Sequence, residues 1–184
     1  MVRGGLRAAV RGTEDSETVW HLRPETLEFL DRAPLRLSFA AQLEAPPDAV
    51  FRELAERPDS WPCWFPGFAS AAYVGDPPYG TGTARRLQLV GGVRALETVL
   101  VWDPARCFVY RVEEAGVPGV RAMMEEWRPA RSPYGGTMLH WTIALDVWQP
   151  VRAVWRAADP LPDRAFRRAA RRLEARIASA AADG

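Results

Sequence analysis

Arg85 and Arg86 are neighbours in a stretch that alternates like a β-strand, TARRLQLV over residues 83–90, so one guanidinium must point to each face of a sheet. The inward one would anchor a carboxylate, phosphate or phenolate, because a guanidinium buried without an anion is costly. An internal acid would answer it as well: Glu125 or Glu126, or Glu97 if its strand faces the other way. Glu125 and Glu126 are adjacent and so face opposite sides. Tyr110 offers a hydroxyl that can donate a proton to a bound molecule or sit as a hydrogen-bonded core tyrosine. His140 is the one histidine in the stretch that reads as folded, and alternation sets it beside Thr142 on the outer face. His21 lies in the N-terminal lead-in and takes no role.

Other chemistries lack their residues. There is no Gly-x-Ser-x-Gly elbow, and Ser38, Ser60, Ser70 and Ser132 have no histidine next to them. No HExxH or facial-triad spacing suggests a metal. All 24 basic residues are arginine, which excludes a Schiff-base lysine, a pyridoxal-phosphate anchor and the P-loop lysine. Cys63 and Cys107 are far apart and form no Cys-x-x-Cys pair, so two free thiols in a reducing cytoplasm are expected. A net charge of +1 supplies no global field for nucleic acid. No stretch approaches the ~20 apolar residues of a spanning helix, and the N-terminus lacks an apolar run of signal-peptide length. A cytoplasmic chain without cofactor, metal or stable membrane insertion is the expectation. An enzyme built from this inventory would orient a reactive substrate between aromatic walls and use one acid or base.

The elements that must hold these groups are organised around the C-terminal stretch 159–182. Phe166, Ala170, Leu173, Ile177 and Ala180 recur at intervals of four and three, one apolar stripe on a long helix. Asp159 can cap it, with Pro160 and Pro162 in the first turn and Asp163 at the positive end of the dipole. At 184 residues the chain reads as one domain, 34–184, behind an extension, 1–33, whose first 18 residues are a mobile lead-in and whose Pro24–Arg32 stretch suits a short helix. Leu35–Leu43 alternates as a strand, APPDAVFREL reads as a proline-initiated helix, and SWPCWFPGF as a short helix or turn wedged against the core. Six more strands follow, separated by turn-forming segments too short for parallel crossovers.

From about Phe29 to Trp148 the chain resembles the START-like superfamily, also called SRPBCC or Bet v 1-like, and in particular its polyketide cyclase/dehydrase branch. The matching features are APPDAVFREL with Trp61-x-x-Trp64, then Gly80-x-Gly82 entering the Arg85–Arg86 strand, and Glu97. The Asp103-Pro104 turn before Phe108-x-Tyr110, and Gly135-Gly136-Thr137 opening the strand of Trp141, complete them. The resemblance implies an α+β helix-grip fold: a seven-stranded curved antiparallel sheet around a long C-terminal helix, two short helices between strands 1 and 2, and a cavity between sheet and helix. Superfamily members often hold lipids, sterols or aromatic polyketides there. In the branch's aromatase/cyclases a cavity arginine sits near the place of Thr98 and Leu100, where this chain has none; Thr98 keeps a hydroxyl.

Leu96, Thr98, Leu100 and Trp102 on one strand, Phe108, Tyr110 and Val112 on the next, and Leu139, Trp141, Ile143 and Leu145 on the last are the expected concave face. Core voids cost about 24 cal/mol per Å3 and a ligand pocket begins at roughly 300 Å3, so a dry one would cost about 7 kcal/mol. Eight tryptophans are available to fill it; otherwise it holds water and a guest. The expected function is binding of a lipophilic or aromatic small molecule by Trp64, Phe68, Arg86, Thr98, Leu100, Trp102, Phe108, Tyr110, Trp141, Phe166 and Leu173. A second reading is a cyclase or dehydratase using Arg86, Thr98, Tyr110 and Glu126. A third is a protein-interaction module presenting Arg164, Arg167, Arg168, Arg171, Arg172 and Arg176 with Trp148, Val151, Val154 and Trp155; those arginines also suit a solvated helix face.

Overall fold

The computed structural model describes residues 19–149 and 160–182. The elements are β1 (Trp20–His21), α1 (Phe29–Arg32), β2 (Leu35–Leu43), α2 (Pro47–Phe51), a π turn (Arg52–Glu56), a 3-10 turn (Pro58–Ser60) and α3 (Trp61–Trp64). Then come β3 (Phe68–Tyr73), β4 (Ala84–Leu89), β5 (Arg94–Asp103), β6 (Cys107–Ala115), β7 (Val120–Arg131), β8 (Thr137–Val147) and α4 (Pro160–Ala182). Seven strands form one antiparallel sheet in the order β2-β8-β7-β6-β5-β4-β3, the α+β helix-grip arrangement, and β1 adds to β6.

Alternation decides what each strand turns inward. One rung across the concave face runs Val99–Tyr110–Glu125–Ile143–Leu37, and the next runs Trp102–Phe108–Trp127–Trp141–Phe39. Trp127 and Trp141 stack at 4.8 Å, and Phe166 of α4 lies 5.7 Å from Trp141. Phe166, Ala169, Ala170 and Leu173 are buried against this rung and Ile177 packs beside them, so one stripe of α4 is gripped by the sheet. Ala180, at the end of the stripe, is exposed. The cap expected at Asp159, and Val151, Val154 and Trp155, lie outside the described residues.

Strand β5 corrects the concave-face assignment. Irregularities in its pairing with β6 fall between Leu96 and Glu97 and between Val99 and Val101. Ala95, Glu97 and Val99 point inward, and the second bulge then resets the phase so that Trp102 points inward too. Leu96 and Thr98 pair with Arg86 and Ala84 on the convex face, and Leu100 packs with the convex cluster of Phe29, Leu30, Val109, Ala122, Met124 and Ala144. Strict period-2 counting carries Trp102 to the right face and Leu96, Thr98 and Leu100 to the wrong one.

The segment before β2 is joined to the sheet. β6 and β7 pair only as far as Arg111–Met124, and the N-terminal segment bridges them where they part. The Leu22 amide donates to the Glu113 carbonyl at 2.8 Å, and the Arg23 amide to the Arg121 carbonyl at 2.7 Å. Leu22 is buried against Val112 and Ala115. The helix suggested by Pro24–Arg32 is confined to Phe29–Arg32, whose Phe29 and Leu30 cover the convex face. The first 18 residues, read as a lead-in, lie outside the described residues.

Candidate functional site: a cavity with two buried carboxyls

Proline sets the roof of the site. Pro46 and Pro47 start α2, whose Val50 and Phe51, with Leu54 after them, are fully buried. The chain then turns through Trp61–Trp64 and runs down to β3 as Phe65-Pro66-Gly67-Phe68, where Gly67 takes φ +106. Between this roof and the sheet is a cavity of about 320 Å3. Its floor is Leu87, Leu89, Ala95, Glu97, Val112, Ala115, Met123, Glu125 and Ile143; Trp141 forms one end, and Val93 and Val117 sit at the strand ends.

The aromatic rung beside α4 is filled, and the space opens one rung further along the sheet. No described residue of α4 lines it. Phe166 and Leu173, expected as ligand contacts, belong to the packed core. Trp64 also stands behind the cavity, its indole N–H donating to Ser60 Oγ at 3.2 Å. Phe68 and Trp141 are in the wall, joined by Trp61 and Phe65.

Arg85, not Arg86, is the interior arginine: it is completely buried, whereas Arg86 is exposed on the convex face. Its partner is Glu97, directly across the β4–β5 pair. Nε donates to Glu97 Oε2 at 2.8 Å, and Nη2 lies 2.7 Å from the same oxygen without alignment for a hydrogen bond. Nη1 has no hydrogen-bond partner among the described residues. The guanidinium is instead packed between aromatic faces, 4.6 Å from the ring centres of both Trp61 and Tyr110 and 5.5 Å from Phe108, which offsets part of its desolvation. Burial pushes the Glu97 carboxyl up while the arginine pulls it down. Neither Arg85 nor Tyr110 lines the cavity, but Glu97 does.

The second interior acid is Glu125, and Glu126 is the outward one, held at 2.7 Å by Arg128. Glu125 Oε2 accepts two hydrogen bonds, from the Tyr110 hydroxyl at 2.6 Å and from the Trp141 indole at 2.8 Å. Trp127 Nε1 in turn donates to the Tyr110 hydroxyl at 3.1 Å. Oε1 of Glu125 makes no hydrogen bond among the described residues. Burial, followed by the charge of Glu97, raises the Glu125 carboxyl to about 7. The same burial, reinforced by Glu125, holds the Tyr110 phenol well above its ordinary value, so it stays a donor.

Of the groups expected to do chemistry, Tyr110 is brought to this network and Arg86, Thr98 and Glu126 are turned away from it, as is Leu100, expected as a ligand contact. The sequence carried a signal for both corrections. Arg85 shares the parity of Leu87 and Leu89, and Glu125 that of Met123 and Trp127, whereas Glu126 shares its side with Arg128. Arg164, Arg167, Arg168, Arg171 and Arg172 are exposed on α4, while Arg176 reaches the buried Glu53 at 2.6 Å. Among the described residues no cluster of histidine, cysteine or acidic side chains could hold a metal.

A curved sheet gripping one long helix, with two short helices between β2 and β3 and an apolar cavity under the Trp61–Phe68 segment, defines a START-like, Bet v 1-like protein. The chain belongs to the family described as polyketide cyclase / dehydrase and lipid transport, whose model matches residues 34–178. An uncharacterized protein of Mycobacterium tuberculosis is 31% identical over 158 residues, 84% of this chain and 93% of the relative, and one of Mycobacterium bovis matches equally. Among solved structures, Zhui aromatase/cyclase from a Streptomyces species has a TM-score of 0.62 at 21% identity, covering 78% of this chain and 95% of that one. The major latex-like protein of ginseng, Panax ginseng, has a TM-score of 0.61 at 12% identity, covering 78% and 97%. These two likenesses show the fold alone.

Proposed function

We propose that this protein binds a lipophilic or aromatic small molecule in the cavity between the sheet and the Trp61–Phe68 roof. The observation that carries the reading is the lining itself: among the described residues it is apolar apart from Glu97 and Glu125. Such walls give water few partners and give an apolar guest a favourable transfer. The volume, about 320 Å3, suits a ligand of a few fused rings or a short acyl chain. Among the described residues no helix is long and apolar enough to cross a membrane, and a cytoplasmic setting is part of the proposal. Native mass spectrometry of the purified chain, before and after incubation with an organic extract of its cells, tests it. A mass released on denaturation that proves to be an apolar compound is the expected outcome; a chain that takes up no apolar molecule sinks the reading.

A second reading, a cyclase or dehydratase, draws on Glu125. A carboxyl raised to about 7, hydrogen-bonded to Tyr110 and lining an apolar cavity, suits proton transfer near neutral pH. It could take a proton α to a carbonyl and return it to a leaving hydroxyl. Glu125→Gln abolishing turnover of a trial β-hydroxy ketone, with the fold intact, would support this; unchanged turnover would remove it.

A further inference from the structure

We infer that the guest of this cavity carries a cationic or strongly hydrogen-bond-donating group, an ammonium on an apolar ring system being the best fit, and that Glu125 Oε1 receives it. The inference rests on the binding function proposed above and narrows its ligand class.

The polar inventory of the wall is one-sided. Glu97 and Glu125 line the cavity, and Arg85, the one buried guanidinium among the described residues, does not. Arg85 is committed to Glu97 Oε2 and enclosed by the rings of Trp61, Tyr110 and Phe108, so it cannot reach a guest anion without breaking the pair. Glu125 is held by donors on one oxygen only. Tyr110 and Trp141 both bind Oε2, which fixes the carboxyl plane and leaves Oε1 as an acceptor without a hydrogen bond among the described residues. The groups acting on Glu125 are Tyr110 on β6, Glu97 on β5, Arg85 on β4 and Trp141 on β8. Among them Arg85 and Glu97 cancel.

When ionised, Glu125 is therefore an excess negative charge in an apolar wall, and a guest cation completes a neutral set of two acids and two bases. A buried charge is costly until it is paired. A guest carboxylate or phosphate would instead add a third anion.

Isothermal titration with three ligands of one shape tests this: 2-naphthylmethylamine, 2-naphthylmethanol and 2-naphthoate. The amine is expected to bind most tightly at about pH 8, by about tenfold or more over the alcohol, and the naphthoate most weakly. The amine's advantage should shrink toward about pH 6 as Glu125 takes up a proton, since the amine stays charged throughout. Glu125→Gln should reduce the amine to the affinity of the alcohol. Equal binding of all three, or naphthoate binding best, overturns the ligand class while leaving the cavity reading intact. An amine preference that survives Glu125→Gln or shows no pH dependence overturns the role of Glu125. If none of the three binds, both readings fall together.

Discussion

A buried arginine is held here by one carboxylate and three aromatic rings, and removing the carboxylate alone should be severe. Glu97→Ala leaves the Arg85 charge without its anion, and breaking a buried pair on one side costs about 3–5 kcal/mol. Replacing both, Arg85→Met with Glu97→Leu, should recover most of that loss in urea unfolding. Glu125 behaves in the opposite way. Its carboxyl is raised from 4.5 to about 7, so across that window the folded chain holds a proton that the unfolded chain releases. Stability from this site therefore falls as pH rises through the window, and the loss is complete above it. Glu125→Gln keeps an acceptor for Tyr110 and Trp141 and has no charge to bury. It should be more stable than the parent by about 3 kcal/mol near pH 8.5, with the difference gone near pH 4, in urea melts at the two pH values.

Among the elements, the turn into β8 is the least forgiving. Gly136 has φ +66, and a Cβ there would lie 2.1 Å from the Leu43 carbonyl oxygen. The turn joins β7 to β8 and meets the end of β2, where Leu43 pairs with Thr137 in the register that brings Trp141 opposite Phe39. Gly136→Ala should destabilise by about 2–4 kcal/mol, read as a lower melting temperature, because neither the backbone nor the facing strand end can yield cheaply. Strands β6 and β8 keep an unbroken alternation on the residues used, so Phe108, Tyr110, Val112, Leu139, Trp141 and Ile143 could be set on the concave face from the sequence. On β5 the bulge between Val99 and Val101 leaves no mark in residue type, so period-2 counting back from Trp102 sets Thr98 and Leu100 on the wrong side. Adjacent like residues, Arg85–Arg86 and Glu125–Glu126, are ambiguous by symmetry until the parity of Leu87 and Trp127 is used to break it. The β1 wedge could not be foreseen, because two residues of pairing carry no periodicity.

For the whole molecule, aromatic packing divides the interior in two. Trp127, Trp141, Phe39 and Phe166 close the side gripped by α4, and the chamber under Trp61 and Phe65 stays open. The order of elements foretold the grip, whereas the side on which space remained depended on the volumes of facing rings, which no periodicity encodes. Filling that chamber should therefore remove binding without removing the fold. The direct measurement is titration of 2-naphthylmethanol into the parent chain and into Ala115→Phe, whose added ring enters the floor of the cavity, with circular dichroism confirming that both are folded. The expected result is saturable one-site binding by the parent and a loss of about tenfold or more in the variant. Equal affinity in the two proteins, or no binding by the parent, would contradict the assignment of this cavity as the binding site.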